Sequence, residues 1–166
     1  APFAGNYAGD SHKLLNLTYL GTNGEEQSDA IGLFSILHAG AVIRNLDIEG
    51  ADIEYPGNCC GLLAGGANGN IRIENITLNG NIKSTKDTVG GLIGYIEGNA
   101  QSLAQISIRN VRVGVSFSES GSSYIGALIS WAENASNQVE DISSDGIFKN
   151  LRGNNHVAAL IGKLYG

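Results

Sequence analysis

Methionine is absent from the 166 residues, proline occurs twice, and the two cysteines are adjacent, Cys59-Cys60. Adjacent cysteines cannot staple distant segments, so a disulfide framework within this chain is excluded. Charged residues make up 16 % and the formal net charge is −6, which gives no reason to expect a nucleic-acid partner. No apolar run approaches the eighteen or so residues of a membrane-spanning helix. A chain without methionine is expected either to start after processing, with Ala1 following a removed signal peptide, or to have been cut from something longer.

What is abundant is glycine, 24 residues, together with 42 % apolar residues, enough for one continuous core with many tight corners. The chain also repeats itself about every thirty residues. One mark is a small residue, a Leu and an aliphatic or aromatic residue: Gly32-Leu33-Phe34, Gly61-Leu62-Leu63, Gly91-Leu92-Ile93, Ala127-Leu128-Ile129 and Ala159-Leu160-Ile161. The other is Asn16, Asn45, Asn75, Asn110 and Asp141, each with an apolar residue two positions before it and one position after it. The first mark recurs at intervals of 29, 30, 36 and 32, the second at 29, 30, 35 and 31. Two marks drifting together indicate stacked supersecondary units. The pattern predicts an all-β fold, a parallel β-helix or β-solenoid with coils of about 30 residues, as a single domain over 1–166 with incomplete coils at both ends.

Around the second mark, Leu14, Ile43, Ile73, Ile108 and Val139 form one apolar column, and Leu17, Leu46, Ile76, Val111 and Ile142 another. This reading places the Asn column on the apolar face, where an unpaired amide is costly, so the amides are expected to stack as an internal ladder broken at Asp141. The position before it reads Arg44, Glu74, Arg109, Glu140, an alternation that predicts a cross-strand charge ladder outside. In the first mark two successive columns are apolar, so either the chain bends there or another element covers that face. Loops at 97–105, 118–123 and 132–138 are the expected places for binding residues.

Phe3-Ala4-Gly5-Asn6-Tyr7-Ala8-Gly9-Asp10-Ser11-His12 with Leu14-Leu15-Asn16-Leu17-Thr18, and Val89-Gly90-Gly91-Leu92-Ile93-Gly94 with Ile73-Glu74-Asn75-Ile76, resemble the GLUG-motif repeats of bacterial proteins. That resemblance implies a β-solenoid stalk or adhesive module of a secreted or surface protein, of the kind found in adhesins and in non-catalytic regions of immunoglobulin A1 proteases. It brings no enzyme with it, and the His-Glu-x-x-His motif is absent.

Parallel β-helices also include polysaccharide-active enzymes, which gather carboxylates from adjacent coils at a sugar. The acidic run Asp47, Glu49, Asp52 and Glu54 faces Thr77, Asn79, Asn81 and Lys83 on the next coil, so a solvated face is the better reading. Gly65–Ile71 and the cluster Glu25, Glu26 and Asp29 are weak calcium candidates, and no metal or cofactor is expected. The threonines do not line up into an ice-binding plane. Tyr95 and Trp131 share a column and are candidate glycan contacts. Cys59 and Cys60 are either small buried thiols or a strained vicinal disulfide. Of the sequons at Asn16, Asn75 and Asn134, only Asn134 is expected in a loop and is the candidate glycosylation acceptor.

The expected function is a non-enzymatic structural or adhesive module outside a cell. Its expected partners are neighbouring repeats or identical subunits stacked end to end, with a host or environmental glycan or protein as a further candidate. A carbohydrate-binding module is the alternative, and a polysaccharide-active enzyme a remoter one.

Overall fold

The computed structural model describes residues 2–21, 30–55, 58–84, 88–98, 103–118, 124–144, 156–158 and 160–165, and every regular element among them is a β-strand. The strands form three sheets, and every strand pair is parallel. A long sheet contains Val42–Tyr55, Ile71–Ser84, Ala104–Ser118 and Ala135–Ser144, with Asn6–Ala8, Lys13–Leu15 and Thr18–Leu20 along its first edge. Two five-stranded sheets of short strands complete each coil, one including Cys59–Gly61 and Thr88–Gly90, the other Ala64–Asn68 and Ile93–Glu97. The fold is a β-solenoid. Parallel coils about 4.8 Å apart satisfy each other's backbone, so each coil depends on its neighbours.

The core columns run through the middle coils. Ile43, Ile73 and Ile108 lie in register and are fully buried, as are Ile48, Leu78 and Val113. Burial of each such side chain contributes roughly 1.5–3 kcal/mol. At the outer levels the same columns hold Tyr7 and Val139, which are only partly buried against the core.

The small-Leu mark is a bend. Bends fall at 32–33, 62–63, 91–92 and 127–128, and they let two successive apolar side chains turn inward. The register corrects one column, because Gly61 pairs with Gly90 and Ala64 with Ile93. Leu63, not Leu62, therefore stands in line with Leu92. Beyond the bend the two short sheets approach backbone to backbone. A Cβ on Gly94 would lie 2.7 Å from the Cys60 nitrogen. Where that column carries Ser instead, its hydroxyl donates to the facing strand: Ser35 Oγ to the Ala30 carbonyl at 3.0 Å and Ser130 Oγ to the Tyr124 carbonyl at 2.7 Å.

The Asn mark works differently from the sequence expectation. Asn45, Asn75, Asn110 and Asp141 have φ of 53°, 56°, 49° and 53°. Asn and Asp tolerate this left-handed conformation better than other residues with a Cβ. One such residue shifts the in-out alternation of the strand. Ile73 and Ile76 both point in, while the intervening Glu74 and Asn75 both point out. The Asn column is therefore on the surface, not on the apolar face.

The first level departs further. Asn6 pairs with Val42, Lys13 with Asp47 and Thr18 with Asp52, so its offset is 34 to 36 residues rather than 29. The register continues from Leu15 opposite Glu49, which brings Asn16 beside Gly50 instead of Asn45, and the Asn16 nitrogen donates to the Glu49 carbonyl at 2.9 Å. Gly50, at φ 69°, sits in a bulge between Ile48 and Ala51. The residues beside Asn45 are Gly9 to Ser11. Gly9 N donates to the Arg44 carbonyl, Ser11 N to that of Asn45, and Asp10 and Ser11 carry the positive φ values of 48° and 63°.

Candidate functional site

The outer face of the long sheet carries the two columns singled out in the sequence. Asn75 Nδ2 donates to Asn45 Oδ1 at 2.8 Å, and Asn110 Nδ2 donates to Asn75 Oδ1 at 2.9 Å. Each rung donates toward the preceding coil. Asp141 is next in line, but an ionised carboxylate has no hydrogen for Asn110 Oδ1, so this direction of donation stops there. Asn16 lies outside the ladder, beside Gly50.

The charge column is in register: Arg44 beside Glu74, Glu74 beside Arg109, Arg109 beside Glu140. Arg109 Nε and Glu140 Oε2 are 3.3 Å apart. Glu74 instead pairs with Arg72 on its own strand, at 3.5 Å. These groups are exposed, so each pair contributes at most about 1 kcal/mol.

The acidic run is also engaged across coils. Lys13 Nζ meets Glu49 Oε2 at 2.9 Å and Lys83 Nζ meets Glu54 Oε1 at 3.0 Å. The Lys13 pKa is raised, first by its hydrogen bond to Glu49 and then by the Glu49 charge. Asp47 faces Lys13 and Thr77, and Asp52 faces Thr18 and Asn81, so the neighbouring strands bring no carboxylate opposite either. A shallow groove of about 260 Å³ runs along the ladder, bordered by Ser11, Asp47, Thr77 and Arg112. Among the described residues no three His, Cys, Asp or Glu come together as a metal site. Glu25, Glu26 and Asp29 lie outside the described residues, as do 99–102 and 119–123 of the longer loops.

Tyr95 and Trp131 are register neighbours, as expected of one column, but their rings are 6.2 Å apart and tilted by 60° rather than coplanar. The cluster is larger than the sequence reading allowed. Tyr124 meets Trp131 edge-on at 4.5 Å and stacks with His156 at 5.2 Å. Lys163, next in the column, sets its ammonium 4.2 Å from the Trp131 ring centre. A cation over an indole is an attractive contact. A sugar stacking on that face would have to displace it. The signal for Lys163 was present, since 131 to 163 is the same step as Ile129 to Ile161. The Tyr95 hydroxyl lies 3.5 Å from Glu133 Oε2. Burial, then Glu97 and Glu133, push its pKa up to about 12.

Cys59 pairs with Ala30 on one side and Thr88 on the other, and Cys60 with Ile31 and Val89. Neither is in a disulfide, so the vicinal bridge is not formed. Successive strand residues face opposite sides; Cys60 is fully buried, and burial pushes its thiol up to about 12.

Asn134 is not in a loop. It is a one-residue corner at φ 46° between Ile129–Glu133 and Ala135–Ser144. Its nitrogen donates to the Tyr165 carbonyl and its carbonyl accepts from Ala104 N.

Over 98 residues, 59 % of this chain, the sequence is 36 % identical to Halomucin of Haloquadratum walsbyi. The match takes in about 1 % of that protein's length. No family model matches the chain, and no solved structure does.

Proposed function

We propose that this chain is a non-enzymatic structural module of a large extracellular protein, a β-solenoid segment that extends and spaces what it is joined to. The observation that carries this reading is the use of the outward polar groups. Asn45, Asn75 and Asn110 bond one another across coils, and Glu49, Glu54 and Glu140 pair with cations from adjacent coils. Groups so engaged fix register rather than converge on a reactant. The resemblance of the repeat residues to GLUG-motif repeats is the ground for an extracellular placement and an adhesive setting, and the match to a short stretch of the much longer Halomucin is compatible with a segment of a large protein.

Partners follow from the sheet edges that no described strand covers. Asn6–Ala8, Lys13–Leu15 and Thr18–Leu20 form one edge of the long sheet and Ala135–Ser144 the other. Further coils, from the same polypeptide or an identical subunit, are the natural occupants of such edges. The test is incubation of the purified chain with a polysaccharide panel, alongside sedimentation over a wide concentration range. No release of sugar is expected, with concentration-dependent association. Sugar release lost on Asp47→Asn or Asp52→Asn defeats the structural reading, and a monomer at every concentration defeats pairing between subunits.

A second reading is carbohydrate binding at Tyr95 and Trp131, favoured by the aromatic cluster around Trp131. Glycan-array binding abolished by Trp131→Ala and strengthened by Lys163→Ala, which clears the indole face, is its expected signature.

A further inference from the structure

We infer that Asn16 is an N-glycan acceptor of this module and that the other two sequons are not. The three sites Asn16-Leu17-Thr18, Asn75-Ile76-Thr77 and Asn134-Ala135-Ser136 all match the sequon, the last with Ser in place of Thr. The fold makes them unequal.

Asn75 is exposed, yet its amide is a rung of the ladder: Nδ2 donates to Asn45 and Oδ1 accepts from Asn110. Coils about 4.8 Å apart leave side chains in that column for the rungs above and below, not for a sugar on the rung itself. Asn134 is half-buried at its corner, with its backbone held by Tyr165 and Ala104. Gly98 packs against the Asn134 carbonyl so closely that a single added Cβ would collide with it. A glycan there would press on a corner with no room to open.

Asn16 differs on each point. It is exposed and lies on the outermost described level, so a glycan meets no further described coil on one side. The facing residue is Gly50, which carries no side-chain amide to bond; Asn16 Oδ1 lies over it, 2.8 Å from where a Cβ would stand, so the contact is made by the oxygen of the amide and not by the Nδ2 that takes the sugar. Thr18 is exposed as well, so both sequon side chains lie at the surface, and its hydroxyl donates to the Asn16 carbonyl at 3.2 Å.

The step is transfer from a lipid-phosphate-linked or lipid-pyrophosphate-linked oligosaccharide, brought by a membrane transferase. Asn16 Nδ2 forms a bond to the anomeric carbon, the bond from that carbon to the phosphate oxygen breaks, and the lipid phosphate leaves. The amide gives up one hydrogen as a proton and stays an amide. The product adds bulk and polarity to the outer face, next to the exposed Leu15 and Leu20.

The inference rests on the extracellular placement proposed above. The test therefore supplies the secretory route itself. The 166-residue chain is secreted from a glycosylating host together with a control glycoprotein, and peptides are mapped by mass spectrometry. The expected result is a glycan on the Asn16 peptide, retained in Thr18→Ser, lost in Asn16→Gln and Thr18→Ala, and unchanged in Asn75→Gln and Asn134→Gln. A bare Asn16 beside a glycosylated control, or modification at Asn75 or Asn134 instead, overturns the site. Either outcome leaves the structural role of the module standing, because it concerns the acceptor and not where the native protein resides.

Discussion

The middle coils and the first level use the same local sequence for different ends. At Asn45, Asn75 and Asn110, an apolar-x-Asn-apolar stretch bends the strand, and because the bends stack, the amides meet as a ladder. At Asn16 the stretch Leu14-Leu15-Asn16-Leu17 makes an equally left-handed residue, φ 55°, but opposite Gly50, which has no side-chain amide to form a rung. The residues that do face Asn45 are Gly9, Asp10 and Ser11. The Asn mark therefore encodes a bend. Whether it also encodes a rung depends on the coil next to it.

The largest expected effect separates the two regions by burial. Phe117, Ile82, Ile53 and Tyr19 share one core column, with the first three fully buried and Tyr19 on the outer level. Phe117→Ala should cost about 3–5 kcal/mol in urea unfolding, and Tyr19→Ala about half as much. Equal costs would erase the distinction between core coil and edge coil.

A smaller effect separates bend from rung. Asn75→Ala should lose both the left-handed preference and two hydrogen bonds, about 2–3 kcal/mol, whereas Asn75→Gly keeps the bend and should lose about 1 kcal/mol. Asn16→Ala should lose only the bend term, about 1–2 kcal/mol, and Asn16→Gly should be near neutral. If Asn16→Gly costs as much as Asn75→Gly, the amide at Asn16 has a partner that this account denies it.

Alkaline pH probes the interior thiol. The folded Cys60 pKa is raised to about 12 from an ordinary 9.0, so between those values the folded chain holds a proton that the unfolded chain has released. Stability is therefore fully present below about pH 9 and falls as pH rises toward 12, by up to about 1.4 kcal/mol per pH unit from this group. Cys60→Ala should flatten that part of the profile, while Cys59→Ala should trim the Cys60 component only slightly, because burial is its larger cause and the Cys59 charge the smaller. The smallest effect belongs to the outer charges: Arg109→Ala should cost about 0.5 kcal/mol at low salt and almost nothing at 1 M salt.

Much of the fold was legible because a repeat reports stacking whatever each residue does. The bend at Gly-Leu-aliphatic was legible as one of two readings, since two adjacent apolar columns cannot both face in along a straight strand. The burial of the Asn column was misread because spacing alone does not show a left-handed φ, which moves Glu74 and Asn75 together to the outside. The columns at Asn16 and Leu62 shift because a bulge or a longer connection adds residues that the sequence does not flag. The aromatic column was legible from Tyr95 and Trp131, whereas Lys163, next in that column, carries no aromatic signature that marks it as the cation over the indole.

Disulfide trapping of the first level tests the central claim most directly. Adjacent parallel strands bring register neighbours within bridging distance. In a background with Cys59→Ala and Cys60→Ala, the pair Lys13→Cys with Asp47→Cys should crosslink readily, and the pair Leu15→Cys with Arg44→Cys should not. The reverse yields would restore a uniform thirty-residue register, return Asn16 to the ladder, and contradict the account.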